Sequence, residues 1–192
     1  MKVFLTSALL AVMMGYGGIA EANQTFVFIR HGEKPDNDSG QLTCKGLNRA
    51  LSIPQVLLGR YGTPDAIFAS APKTKKIGSS LRPLTTITPT AIRISQPVDL
   101  RFRADDTTEL AKTLLTGKPH PLVFLSWEHK NLVVAAKKII NMAGGDDSVV
   151  LPWAGSDFDG IYVIKLDDAG KFIAFSRETE GLNGVPDTCP NT

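Results

Sequence analysis

Short apolar runs alternate with longer amphipathic stretches along most of the chain. Four of the runs are rich in β-branched and aromatic residues and predict buried strands: residues 25–29, 66–69, 91–95 and 121–126. Three stretches carry apolar residues at helical spacing and predict helices: residues 43–58, 107–116 and 131–142. Strands that alternate with helices favour an α/β fold, a three-layer α/β/α sandwich with a mostly parallel central sheet.

Local signals set the ends of these elements. Pro54 interrupts the apolar stripe of the first predicted helix. Asp106 can cap the second helix, and Gly144 is expected to end the third. Residues 161–166 and 172–175 flank a short turn that contains glycine, so we expect an antiparallel hairpin there.

The N-terminal residues have the layout of a secretory signal. Lys2 supplies a positive charge, and residues 3–20 form an apolar and small-residue run. We expect cleavage after Ala22, which gives a signal peptide of residues 1–22 and a single domain of residues 23–192. The alternative is a retained membrane anchor, because the run approaches the length of a membrane span.

Charge and cysteine content narrow the class of protein. The 192 residues include 21 Lys and Arg and 19 Asp and Glu, and a net charge of +2 argues against binding to a nucleic-acid backbone. Cys44 and Cys189 are the two cysteines, and we expect a disulfide between them in an oxidising compartment. Two unpaired thiols are the alternative. Because of the signal-like segment and the expected disulfide, we expect a periplasmic or secreted location.

Two of the three histidines stand just beyond the ends of predicted strands. The strand at 25–29 runs into Arg30 and His31, and the strand at 121–126 runs into the segment that contains Glu128 and His129. Ligands of parallel α/β sheets bind beyond the carboxyl ends of the strands, so this edge is the expected functional site. His120 precedes its strand and is expected to be a loop residue.

The residues around the first of these histidines suit phosphate chemistry. His31 can act as a covalent nucleophile, and Arg30 offers a planar fork of donors for phosphoryl oxygens. Gly32 would let the backbone approach a ligand, and Lys34 adds a positive charge near the phosphate. Arg82 is the natural second arginine of such a site.

Together these residues resemble a known family. The Arg-His-Gly-Glu motif at 30–33 after a strand, the later Arg82 and the strand that ends near His129 are similar to the histidine phosphatase superfamily. Residues 44–50 resemble the helix that follows the first motif in that family. The resemblance covers the whole expected domain and implies a phosphoglycerate-mutase-like fold.

The resemblance also implies a role for each matching residue. His31 would be the nucleophile that becomes phosphohistidine. Arg30 and Arg82 would grip the phosphoryl group, assisted by Lys34, and His129 would stabilise the charge that develops during transfer. The resemblance implies chemistry without an organic cofactor. We also expect no metal ion, because the positive charges of Arg30 and Arg82 already balance the charge of a phosphoryl group.

The proton donor is the least determined part of the site. In one branch of the family an acid follows the second histidine, whereas this chain has Lys130. In another branch an acid follows the second arginine, where the chain offers three carboxylates: Asp105, Asp106 and Glu109. Glu128 directly precedes His129 in sequence and is the candidate donor. The sequence does not decide between Glu128 and the other three carboxylates.

Other prominent residues are expected to be structural. We expect Glu33 to pair with an arginine, and Trp127 and Trp153 to pack in the interior. Residues 157–160 resemble a turn that enters the hairpin.

The leading functional hypothesis is an exported phosphatase that hydrolyses phosphomonoesters through a phosphohistidine. Its partner would be a small phosphorylated substrate, with no nucleic acid and no stable membrane insertion after signal removal. The alternatives are a phosphomutase of the same fold and a non-catalytic phosphate-binding protein of the cell envelope.

Overall fold

The computed structural model describes residues 23–37, 39–73, 78–118 and 120–190. The expected signal segment, residues 1–22, lies outside the described residues. Within these ranges no helix has both the length and the apolar character needed to cross a bilayer.

Strands and helices alternate as the sequence pattern predicts. In chain order they are β1 (Gln24–Arg30), α1 (Cys44–Tyr61), β2 (Ala66–Ala69), α2 (Arg82–Arg93), β3 (Val98–Asp99), α3 (Thr107–Thr116), β4 (Leu122–Trp127), α4 (His129–Met142), β5 (Gly160–Leu166) and β6 (Phe172–Thr179). The sheet order is β3-β2-β4-β1-β5-β6. β3, β2, β4 and β1 are parallel, whereas β5 and β6 pair antiparallel as the expected hairpin.

Each face of the sheet carries one apolar core. Alternate residues of β1 point to opposite faces, so Phe26 and Phe28 pack in the core with α3 and α4. Val27 and Ile29 pack in the other core, against α1 and α2. The expectation of a three-layer α/β/α sandwich is therefore confirmed.

One predicted strand is wrong. Residues 91–93 form the end of α2 and residues 94–95 lie in the turn that follows, while the strand of this region is β3. Pro83 stands in the first turn of α2, where its missing N–H costs nothing. Ile87 and Ala91, four residues apart, are buried on one face of this helix.

Some of the predicted element ends also need correction. α1 continues through Pro54 and ends at Tyr61. Asp106 occupies the N-cap position of α3, but its Oδ2 accepts a bond from the N–H of Arg103 (2.8 Å) and makes no bond to the helix. Gly144 follows α4 with a φ of 80°, a left-handed conformation that favours glycine.

A disulfide joins Cys44, the first residue of α1, to Cys189, with their Cα atoms 4.4 Å apart. The expected pairing is thus confirmed. We refer to residues 180–189 as the C-terminal arm. This arm also lies against α1 through Asn48, whose side-chain amide donates to backbone carbonyls of the arm at 2.7 and 2.8 Å.

Candidate active site

The register of the two central parallel strands brings the predicted site residues together. Arg30, the last residue of β1, pairs with Trp127, the last residue of β4. The next residue of each strand therefore leaves the sheet at the same edge, and the N–H of His31 donates to the carbonyl of Trp127 (3.1 Å). This edge is where the sequence predicts the site.

His31 is held in one orientation and one tautomer. Its side chain is buried, and Nδ1 lies 2.8 Å from the carbonyl oxygen of Gly32. A carbonyl only accepts, so Nδ1 carries the proton and Nε2 keeps its lone pair. Burial and, to a smaller extent, the positive charges of Arg30 and Arg82 lower the pKa of His31 to about 4. The imidazole is therefore neutral at physiological pH, as a nucleophile must be.

Gly32 is required by close packing against α1. A Cβ at this position would lie 2.9 Å from the carbonyl oxygen of Gly46. The N–H of Gly32 donates to Oγ1 of Thr86 (2.9 Å), and this hydroxyl donates to the carbonyl of Arg82 (2.8 Å). The turn after His31 is thus tied to both α1 and α2.

Arg30 is buried and its guanidinium is fixed from two sides. Nη1 donates to the carbonyls of Gly155 (2.9 Å) and Asp157 (2.6 Å), and the guanidinium carbon lies 3.8 Å from the ring centroid of Phe158. Burial lowers the pKa of Arg30, and the negative charges of Glu128 and Asp157 oppose this effect. Nε of Arg30 is buried and has no hydrogen-bond partner among the described residues.

Arg82 is the first residue of α2 and lines a cleft of about 250 Å³. Lys73, Arg103 and Asp105 also line this cleft. The positive charge of Arg82 contributes to the lowered pKa of His31, so the two residues lie within electrostatic range of each other.

His129 and Glu128 form a pair at the start of α4. Nδ1 of His129 lies 2.8 Å from Oε1 of Glu128, without the angle of a hydrogen bond. Oε2 of Glu128 caps α4 through the backbone N–H (3.0 Å) and side-chain amide (3.1 Å) of Asn131. Partial burial and the positive charge of Arg30 lower the pKa of His129, which favours its neutral form.

The three alternative carboxylates lie in different surroundings. Asp105 is exposed and lines the cleft beside the second arginine. Asp106 is bonded to the backbone of Arg103, and Glu109 forms an exposed ion pair with Lys112 (2.9 Å). Asp105 is therefore the one of the three that a ligand in the cleft would meet.

The remaining predicted residues lie on either side of the first motif. Lys34 is exposed, and its positive charge contributes to the lowered pKa of His129. Glu33 binds the guanidinium of Arg49 with both oxygens, at 2.8 to 3.2 Å. The expectation that Glu33 pairs with an arginine is confirmed.

Sequence reasoning missed the importance of Arg49 and of the loop at 154–159. Arg49 lies on the buried stripe of α1, between Gly46 and Ile53 at helical spacing. A charged residue on a buried stripe needs buried partners, and this signal could have identified it. The segment 157–160 leads into β5 as expected, and residues 157 and 158 in it also contact the guanidinium of Arg30.

The arrangement as a whole suits binding and transfer of a phosphoryl group. The neutral imidazole of His31 lies in the electrostatic range of Arg30 and Arg82, and guanidinium groups match the oxygens of phosphate. Among the described residues no group of His, Cys, Asp and Glu side chains is placed to hold a metal ion.

Comparison with solved structures places this fold. The protein histidine phosphatase SixA in complex with tungstate superposes with a TM-score of 0.55 at 13% identity, over 82% of this chain and 97% of that one. An alpha-ribazole phosphatase from Shigella flexneri superposes with a TM-score of 0.56 at 12% identity, over 78% of this chain and 93% of that one. A phosphoglycerate mutase from Plasmodium falciparum superposes with a TM-score of 0.53 at 14% identity, over 90% of this chain and 99% of that one.

No family sequence model and no curated protein matches the chain. The structural similarity confirms the α/β, phosphoglycerate-mutase-like fold that the sequence resemblance implies.

Proposed function

We propose that this protein is an exported phosphatase that hydrolyses small phosphomonoesters through a phosphohistidine at His31. The observation that carries the proposal is the state of this side chain. The carbonyl of Gly32 fixes the tautomer with the lone pair on Nε2, burial keeps the imidazole neutral, and the positive charges of Arg30 and Arg82 act on it. The shared fold supports the proposal, since one similar structure is a histidine phosphatase that binds tungstate.

The proposed reaction has two displacements at phosphorus. Nε2 of His31 attacks the phosphorus atom while the bond to the leaving oxygen breaks, and a proton passes to that oxygen. Arg30, Arg82 and His129 bind the equatorial oxygens, where negative charge is concentrated in the transition state. Water then attacks the phosphohistidine, the P–N bond breaks, and the water proton returns to the group that acted as donor.

Glu128 is the proposed donor because of its position in the charge network. Its carboxylate adjoins His129 and acts electrostatically on Arg30 and His31. In the free protein its Oε2 accepts two bonds from Asn131. A donor role requires Glu128 to carry a proton in the complex with substrate.

Asp105 is the second candidate donor, because it lines the cleft that contains Arg82. Leaving-group dependence separates the two carboxylates, since an alkyl alcohol needs a proton far more than p-nitrophenol does. We expect Glu128→Gln to slow hydrolysis of glycerol phosphate much more than that of p-nitrophenyl phosphate. If Asp105→Asn has this selective effect and Glu128→Gln does not, Asp105 is the donor.

Export is supported by the signal-like segment at residues 1–22 and by the disulfide between Cys44 and Cys189. Fractionation of cells that express the chain, followed by mass measurement of the protein, tests it. We expect a processed, oxidised form outside the cytoplasm. A cytoplasmic protein of full mass would contradict export.

Turnover of phosphomonoesters by the purified protein tests the function itself. We expect release of inorganic phosphate in the presence of EDTA, and a phosphoenzyme trapped by rapid quenching at alkaline pH. His31→Ala should abolish both signals. His120→Ala is the matched control, because His120 precedes β4 at the opposite edge of the sheet and should leave turnover unchanged.

Each other outcome has its own meaning. Phosphoryl transfer to an organic acceptor without release of phosphate would indicate a mutase. Tungstate binding without any phosphoenzyme would indicate a phosphate-binding protein. Loss of turnover in EDTA that added metal restores would contradict metal-independent chemistry.

A further inference from the structure

Arg49 is a fully buried arginine that contacts three acidic side chains. Nε and Nη2 donate to the carboxylate of Glu33, at 2.8 to 3.2 Å. Nη1 donates to Asp159 (3.0 Å) and to Glu180 (2.7 Å), and the guanidinium and the Glu180 side chain have no exposed surface. We call these four residues the Arg49 cluster. A buried guanidinium must be fully paired, so the position of each partner is constrained.

Two members of the cluster are directly connected to the candidate active site. Glu33 lies two residues after His31, in the turn that fixes the imidazole. Asp159 follows the loop whose carbonyls bind Arg30, and its N–H donates to Oδ1 of Asp157 (2.8 Å). One guanidinium therefore joins the segment that holds the nucleophile to the segment that holds the phosphate-binding arginine.

The other members connect the cluster to the C-terminal arm, residues 180–189. Glu180 is its first residue, and Oδ1 of Asn183 accepts a bond from the guanidinium at 3.3 Å. The carboxylate of Asp159 accepts backbone N–H groups of the arm at 2.6 and 3.1 Å. The disulfide ties the far end of this arm to the start of α1.

We propose that Arg49 is a positioning residue that aligns His31 with Arg30, and that the disulfide-tied C-terminal arm completes this alignment. The proposal rests on the proposed function, because alignment matters only if these two side chains act on one phosphoryl group. In-line transfer is sensitive to position, and a displacement of about 1 Å can lower a rate by about 100-fold.

Lysine at position 49 tests the geometry of the cluster while it keeps the charge. An ammonium group cannot present the guanidinium fork to Glu33, Asp159 and Glu180 at once. We expect Arg49→Lys to lower kcat at least about tenfold, with KM changed less than about threefold, because binding of the phosphate itself is retained. A folded Arg49→Lys protein with the kcat of the wild type would overturn the proposal.

The arm is tested separately by release of its covalent tie. The Cys44→Ser/Cys189→Ser protein keeps every side chain of the cluster, so a fall in kcat reports the contribution of the arm. Asp187→Asn is the matched control, because Asp187 is an exposed arm residue that pairs with Lys45 (3.2 Å), outside the cluster. We expect a severalfold fall for the double variant and no change for the control. Equal kcat in the double variant and the wild type would refute the role of the arm.

Two measurements keep these outcomes interpretable. Circular dichroism and thermal melting show whether each variant folds, and Glu33→Gln replaces Arg49→Lys if the latter does not. The ring ¹⁵N resonances of His31, recorded with and without tungstate, report alignment independently of turnover. We expect tungstate to shift them in the wild type and to shift them differently in Arg49→Lys.

Failure of the alignment proposal is distinguishable from failure of the proposed function. A wild-type protein that neither turns over phosphomonoesters nor responds to tungstate would contradict the proposed function. A wild type that does both, with identical behaviour of folded Arg49→Lys, would contradict the alignment proposal alone.

Discussion

The low pKa of His31 leads to a quantitative prediction about acid. The folded protein holds this imidazole at a pKa of about 4, whereas an unperturbed histidine titrates near 6.5. At pH 5 about 90% of His31 should therefore remain neutral, compared with about 3% of an unperturbed histidine. Long-range ¹H–¹⁵N spectra of the three histidines, with His31 assigned from the His31→Gln variant, measure this directly.

The same shift makes stability depend on pH. Between pH 6.5 and 4 the unfolded chain binds a proton that the folded His31 rejects, so the free energy of unfolding falls as the pH is lowered. The difference between pH 7 and pH 4.5 amounts to about 2 kcal/mol from this group. His31→Gln removes this contribution. In urea unfolding, the wild type should therefore lose about 2 kcal/mol more stability than His31→Gln when the pH is lowered from 7 to 4.5.

A titration of His31 near pH 6.5 would refute this reasoning. So would parallel stability curves for the wild type and His31→Gln, since both results would mean that burial does not penalise the charged imidazole. Other groups titrate in the same range, but they are common to both proteins and cancel in the difference.

Three further predictions concern the surroundings of the site. Removal of the Cys44–Cys189 bridge, which spans 145 residues, should lower the free energy of unfolding by up to about 5 kcal/mol in urea titrations, and unchanged midpoints under reduction would contradict this. Gly32→Ala should cost about 1 to 3 kcal/mol in the same assay, because the added Cβ meets backbone atoms of Gly46. Burial raises the pKa of Glu180 to about 8, so the contribution of this group to stability should fall as the pH rises from 5 to 8, and the wild type should lose about 3 kcal/mol relative to Glu180→Gln over this range.

The central strands of the sheet could be predicted because a strand that is buried on both faces has a continuous apolar sequence. β1 and β4 are continuous apolar runs because both faces of a central parallel strand are covered. α2 was missed because its buried face is partly threonine, including Thr86 and Thr90, which do not register as an apolar stripe. The hydroxyl of Thr86 forms hydrogen bonds within the fold, so this polar group can be buried without an unsatisfied donor or acceptor. The sequence alone does not show these bonds.

The candidate site divides in the same way. His31 and His129 could be predicted as site residues because each stands within two residues of the end of a strand, a relation visible along the chain. The partners of Arg49 could not be found in this way, because Asp159 and Glu180 lie 110 and 131 residues from it. Only the completed fold brings such distant charges together.

The reversed direction of β5 has a consequence for how this fold can diversify. Because β5 runs antiparallel to β1, its first residues lie beside the last residues of β1, with Ile161 opposite Ile29. A parallel strand of seven residues would instead start at the far edge of the sheet, about 20 Å away. The loop between α4 and β5 therefore reaches the candidate site without any change in the sheet. Changes in the length or sequence of that loop can alter which ligands fit the candidate site, while β1, which ends at Arg30 just before His31, keeps its place.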